Sequence, residues 1–291
     1  MDALTDVRAP DGRTLRVHED GDPDGVAIVV HHGTPSSGLL YPPHAQDAAE
    51  RGIRLVGYDR PGYGGSTPQP GRSVADAAAD VEALVDTLGI ERFATYGASG
   101  GGPHALACGA LLPERCVAVA TIASVGPYDV DGLVWLAGMG EGNQREIAAA
   151  LEGGETFERF LVGEVASLDG VTADGLAQAI VTHLSAVDAA VLTGDLAAFL
   201  VSSIRDATRD GIAGWRDDDY AFLRAWGFEL GEIRVPVLLR QGRQDLMVPF
   251  AHGVWLAERI PGVQAELSEE HGHLTLLAGV PEVHAWLLER F

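Results

Sequence analysis

The sequence predicts an α/β protein: a mostly parallel sheet flanked by helices, with one α-helical insertion. Three observations predict it. Short, nearly continuous apolar runs recur along the chain, helix-periodic stretches separate them, and the alternation lapses between 128 and 232, where only helical spacing is found. An apolar run without alternation marks a strand buried on both faces, as a parallel sheet covered by helices on each side requires.

The elements follow in order. Residues 14–18 alternate apolar and polar, as an outer antiparallel strand does. Buried-strand runs follow at 26–30, 53–58, 92–96, 116–123, 235–240 and 263–267. Across 74–88, Val74, Ala77, Ala78, Val81, Leu84 and Val85 keep a helical period. In the insertion, 147–151, 157–165, 176–184 and 189–204 carry helical spacing, and strand rhythm resumes near Val235. The domain reading is a discontinuous core, 1–127 and 233–291, around a helical segment at 128–232. No solenoid repeat or low-complexity tract is present.

Composition narrows the function. The chain has 291 residues, 46% of them hydrophobic, which excludes disordered, collagen-like and coiled-coil classes. With 42 acids against 20 bases, the net charge of -22 disfavours nucleic acid and anionic membrane surfaces as partners. Every base is arginine, so Schiff-base and P-loop lysine chemistry is absent. Cys108 and Cys116 fit neither a disulfide framework nor a zinc motif and read as buried small apolar residues. No secretory leader is evident at the N-terminus, and no apolar run approaches the ~20 residues of a membrane span. The expectation is a soluble cytoplasmic protein.

Four motifs carry the chemistry, each just past a strand. Gly97-Ala98-Ser99-Gly100-Gly101 fits G-x-S-x-G between a strand and a helix opening near Pro103. A nucleophile on so sharp a turn needs small residues two positions either side, and the turn aims the Gly100 N–H at a reacting carbonyl. The overlapping run from Gly100 to Ala105 also fits a dinucleotide loop, but the next strand ends without the acid that loop needs. His31-His32-Gly33-Thr34-Pro35 follows the 26–30 strand; the Thr34 N–H is the candidate second oxyanion donor, with His32 bracing the loop. The His31-His32 pair is a poor metal site, since neighbours at a strand end point apart. Asp245, in the loop from Gly242 to Pro249, is a candidate acid, its alternative being a helix cap. His273 follows a glycine in His271-Gly272-His273, with His271 its competitor, and no third metal ligand sits at matching spacing. The chain order is Ser99, Asp245, His273.

With these motifs in place the chain resembles the α/β-hydrolase superfamily over essentially its full length. Asp59-Arg60-Pro61-Gly62-Tyr63-Gly64-Gly65-Ser66 is similar to the family's D-x-P-G-x-G-x-S segment and reads as a structural turn. The insertion resembles the family's helical cap, and His273 occupies the family's histidine position. A serine at 99 departs from epoxide hydrolases and haloalkane dehalogenases, which carry aspartate there; the His32-Gly33-Thr34-Pro35 loop departs from the HGGPG pattern of proline iminopeptidases. The resemblance implies a catalytic triad of Ser99, Asp245 and His273, an oxyanion hole of Thr34 and Gly100, and neither metal nor organic cofactor. The implied partner is a small-molecule acyl substrate, a carboxylic ester first. Amidase, aminopeptidase and C–C bond hydrolase activities, and a non-catalytic ligand receptor, share the constellation. Trp135, Leu136 and Met139 are candidate pocket wall. The acids Glu141, Glu146, Glu152, Glu155 and Glu158 are either a solvated surface or a receptor for an amino group.

Overall fold

The computed structural model describes residues 3–168 and 170–291. Met1 and Asp2, which begin the segment read for a leader, and Asp169 of the insertion lie outside the described residues. An eight-stranded sheet runs in the order β1-β2-β4-β3-β5-β6-β7-β8. Its strands are β1 (Ala3–Arg8), β2 (Thr14–Gly21), β3 (Val26–His31), β4 (Ile53–Tyr58), β5 (Phe93–Ala98), β6 (Cys116–Ile122), β7 (Val237–Gly242) and β8 (Gln264–Ser268). β1 pairs antiparallel with β2 and β2 antiparallel with β4; every pairing from β4 to β8 is parallel.

The continuous apolar runs follow from helices on both faces. α2 (Asp76–Thr87), α3 (Gly102–Leu111) and α10 (Phe250–Ala257) cover one face, and α1 (Pro42–Glu50) and α11 (Val280–Leu288) the other. Side chains alternate between the two cores. Val29, Val56, Phe93 and Val119 enter the first, whereas Ile28, Leu55, Ala94 and Ala120 enter the second. Both cysteines are free and buried, and burial pushes the Cys116 thiol up to about 12. Among the described residues no helix is long and apolar enough to cross a membrane.

Between β6 and β7 lie α4 (Glu141–Glu152), α5 (Gly154–Leu168), α6 (Ala173–Ala179), α7 (Ala186–Val191), α8 (Gly194–Thr208) and α9 (Ala213–Phe222), with no strand among the described residues of that stretch. Each of its two apolar clusters takes in a residue from outside it. Tyr63 joins Phe157, Leu161 and Trp215, and Leu274 joins Leu176, Leu192 and Val201.

Several elements differ from expectation. The helix read across 189–204 is two, because Thr193 is extended (φ -141°, ψ 167°) and Gly194 has a φ of 54°. The 176–184 helix stops at Ala179, a 3₁₀ turn follows at Val181–His183, and Ser185 caps α7. β1 was not anticipated, since an edge strand needs no apolar run. β7 begins only after Pro236, which lacks the N–H a ladder needs. β8 is an exposed edge strand rather than a buried one.

Candidate active site

The strand order places the first two motifs side by side. From β3 the chain steps to β4 on one side, then returns to β5 on the other, so β3 and β5 are parallel neighbours with His31 opposite Gly97. Loops leaving the carboxyl ends of such strands diverge and leave a crevice between them. One loop carries Thr34 and the other Ser99.

Ser99 has a φ of 55°, a left-handed conformation that a non-glycine residue adopts only under constraint. The constraint is the direct passage from β5 through a 3₁₀ turn at Ser99–Gly101 into α3. The glycines of the motif are sterically required. A Cβ at Gly97 would collide with the Gly101 carbonyl, and one at Gly101 with the carbonyls of His31 and His32. Gly100 packs on the Thr34 side chain and the Phe222 ring.

The Thr34 loop is held by a buried ion cluster that sequence reasoning did not find. Arg60, 1% exposed, donates to the carbonyls of His32 and Gly33 (3.0 Å to the latter) and to Thr34 Oγ1 (3.1 Å). Asp218, on α9 and fully buried, accepts from Arg60 Nη2 (2.6 Å), Arg72 Nη1 (2.6 Å), the Tyr63 hydroxyl (2.8 Å) and the Thr34 hydroxyl (2.7 Å). Burial opposes the charge on Asp218, but the Arg60 and Arg72 guanidiniums outweigh it and hold its carboxyl well below the usual carboxylate range. The Asp59–Ser66 turn is thus structural as read, and its arginine is also the brace of the neighbouring loop. His32 braces the loop as expected: its Nε2 accepts from the Arg60 N–H (3.1 Å), which leaves Nδ1–H to donate to the Gly33 carbonyl (2.8 Å). Burial, then Arg60, holds this ring well below the ordinary histidine value, so it is neutral. The Thr34 N–H makes no hydrogen bond among the described residues.

Asp245 and His273 meet across loops that follow β7 and β8. Asp245 Oδ2 accepts from His273 Nδ1 (2.8 Å) and Gln241 Nε2 (3.2 Å); Oδ1 accepts the N–H groups of Met247 and Val248 (2.8 Å each). The helix-cap alternative is not met: α10 has Pro249 at its N-cap, and one Asp245 oxygen serves a turn before it while the other serves the imidazole. Burial pulls His273 down, but the Asp245 charge and hydrogen bond exceed it and hold the ring above the ordinary value of 6.5. His271 is not among the residues that line the cavity with His273, and its carbonyl accepts from Gln244 N (2.9 Å).

Ser99, Gly100, Thr34 and His273 all line one cavity of about 320 Å³. Among the described residues no hydrogen bond joins Ser99 to His273, whose contact is with Asp245. Leu39, Leu40, Leu196, Phe199 and Leu200 give the cavity an apolar wall. Trp135 and Met139 line it as anticipated, whereas Leu136 packs on the core. Of the five acids considered, Glu146 alone lines it; Glu141, Glu152, Glu155 and Glu158 are exposed. Glu146, half-buried, accepts from Trp215 Nε1 (2.6 Å) and faces Asp219, a buried acid in the wall. Burial, then the nearby Glu146, holds Asp219 well above the usual range, and burial raises Glu146 as well. The run Asp217-Asp218-Asp219 was the available signal for Asp218 and Asp219, being flanked by Trp215, Tyr220 and Phe222 on one helix.

His31 and His32 diverge as expected: His31 Nδ1 meets the Tyr58 hydroxyl (3.4 Å) and Nε2 the Cys108 sulfur (3.6 Å). Among the described residues, His18, Asp59 and Asp206 bring ligand atoms within 4.8 Å of one another, away from the cavity, and Asp59 already accepts the amides of Gly38 and Gly65.

A family model described as alpha/beta hydrolase fold matches residues 26–280. A non-heme chloroperoxidase of Streptomyces lividans is 26% identical over 249 residues, covering 84% of this chain and 83% of that protein. A probable proline iminopeptidase of Leptolyngbya boryana is 22% identical, covering 92% and 87%. The solved structure of an esterase from Exiguobacterium antarcticum superposes with a TM-score of 0.70 at 21% identity, over 99% of this chain and 98% of that one, a likeness of fold.

Proposed function

The chain belongs to the alpha/beta hydrolase fold family, and from that premise we propose that it is a serine hydrolase acting on a small acyl compound, a carboxylic ester first. The observation that carries the reading is one wall holding three groups: a serine on a strained turn, an imidazole oriented by a carboxylate, and an unpartnered amide beside them. In the proposed reaction Ser99 Oγ attacks the ester carbonyl while its proton passes to His273 Nε2. Asp245 keeps the proton on Nδ1 and stabilises the imidazolium. The oxyanion sits between the N–H groups of Gly100 and Thr34. His273 returns the proton to the leaving alkoxide, and the alcohol departs. Water, deprotonated by His273, then releases the acid and restores Ser99. The helices of 128–232 act as a cap that excludes water and supplies much of the apolar wall, with Leu196, Phe199 and Leu200.

The apolar wall favours an ester with an aliphatic or aromatic acyl or alcohol part. A second reading, an aminoacyl amide or ester, is favoured by the Glu146–Asp219 pair, which could receive a substrate ammonium; the iminopeptidase name of one relative agrees with it. A fluorophosphonate probe and a substrate panel test both. The probe is expected to label Ser99, and neutral p-nitrophenyl esters to turn over faster than aminoacyl anilides. Absence of labelling would return the protein to the ligand-receptor reading, and preference for the anilides would select the second.

A further inference from the structure

The helical insertion reaches the backbone of the histidine loop through the side chain of Asp188. Asp188, on α7, is fully buried, and its carboxylate takes four donors. Oδ2 accepts from the His273 N–H (2.8 Å) and the Ser185 hydroxyl (2.8 Å); Oδ1 accepts from the N–H groups of Leu274 (2.7 Å) and Thr275 (3.1 Å). Three consecutive amides thus converge on one carboxylate at the entry to the 3₁₀ turn Thr275–Gly279, where the first N–H groups have no partner within the turn. The glycine of His271-Gly272-His273 has the same cause: a Cβ on Gly272 would stand where the Asp188 carboxylate stands. Leu274 then anchors the loop in an apolar cluster of the insertion.

We propose that Asp188 is a positioning residue for His273, through which the helical insertion sets the backbone that aims the imidazole at Ser99. The proposal rests on the serine-hydrolase reading above. Asp245 determines which ring nitrogen carries the proton; Asp188 determines where the ring's own backbone sits. The two carboxylates, from the loop after β7 and from α7, are also the charged groups that act on the ring, and Asp188 adds to the effect of Asp245 in holding it above the ordinary value of 6.5. An imidazole displaced by a fraction of an ångström still binds substrate beside it but transfers a proton poorly.

The test is Asp188→Asn, which keeps the size, removes the charge and turns an NH₂ group towards amides that need an acceptor. With folding checked by circular dichroism, kcat on a p-nitrophenyl ester is expected to fall about 10²-fold with KM within about threefold, the signature of a lost transition-state alignment. Labelling of Ser99 by the fluorophosphonate should slow in parallel, and the rising limb of the kcat/KM profile should move to lower pH. A purely structural role would lower stability and leave that limb in place. A folded variant with kcat within about threefold of the parent and an unmoved limb overturns the proposal. If the variant does not fold, Ser185→Ala decides. It removes one donor to the carboxylate and should lower kcat several-fold at constant KM; an unchanged kcat overturns the proposal. The parent reading fails separately, through a wild-type protein that does not label or a Ser99→Ala protein that stays active.

Discussion

Replacing Asp218 with asparagine should be the most damaging single change outside the reacting groups. The carboxylate is fully buried and accepts four side-chain donors, of which Arg60 and Arg72 are buried cations. Asparagine offers one oxygen and no charge, so two guanidiniums are left facing an amide. Removing one partner of a buried ion pair costs about 3–5 kcal/mol, most of it the uncompensated charge left behind. With a urea slope of about 3 kcal/mol/M, the midpoint should fall by roughly 1–1.7 M, read by the fluorescence of the chain's five tryptophans. The sign of the pH dependence follows from the lowered carboxyl. Its stabilisation is complete above the unfolded value of 3.8 and is lost as pH falls through the lower folded value. The gap between parent and variant should therefore be constant from neutral pH down to about 4 and narrow only below it. Because the same carboxylate holds the Thr34 hydroxyl, kcat should fall by about tenfold or more, short of the 10²–10³ for outright loss of an oxyanion donor. A stability loss under about 1 kcal/mol, or a gap that closes already between pH 7 and 5, would refute this account of the cluster.

Ser99→Ala should fold normally and lose turnover by roughly 10⁴-fold or more, since the reacting groups act as a unit; activity within about tenfold of the parent would remove Ser99 as nucleophile. His273→Ala should lose roughly 10⁴-fold and His271→Ala about tenfold at most, compared as kcat/KM on one activated ester, and the reverse order would move the base to His271. The parent's kcat/KM should rise with pH around a midpoint above 6.5, because Asp245 outweighs burial at His273; a midpoint below 6.5 would contradict the pairing. The Glu146–Asp219 pair has the opposite linkage to Asp218. A carboxyl raised in the folded state gives stability that is complete below its unfolded value and is lost as pH climbs through the folded one. Asp219→Asn should therefore gain melting temperature relative to the parent between pH 4 and pH 8, and a difference that does not change with pH would mean that the Asp219 carboxyl is not raised in the folded protein.

What the chain by itself determined was local or periodic. The runs at 53–58 and 116–123 mark β4 and β6 because strands covered on both faces are nearly all apolar. The serine turn was legible because Gly97 and Gly101 answer to backbone atoms within five residues of Ser99, or on the strand beside it. Thr34, Asp245 and His273 were legible for a related reason: each lies just past a strand's end, and parallel strands deliver their ends to one edge. Only the tertiary structure decided which residues hold those groups still. Asp218 reaches Arg60 across 158 positions, and Asp188 reaches the His273 N–H across 85, from helices whose spacing describes a buried face but says nothing of what it is buried against. The break between α7 and α8 at Thr193-Gly194 belongs to the same class: apolar periodicity runs on across it, while Asp188 of α7 holds the histidine loop and α8 lines the cavity. Periodicity reports how much of a segment leaves water, whereas a buried charge is placed by whichever partners the fold brings within hydrogen-bonding distance of it.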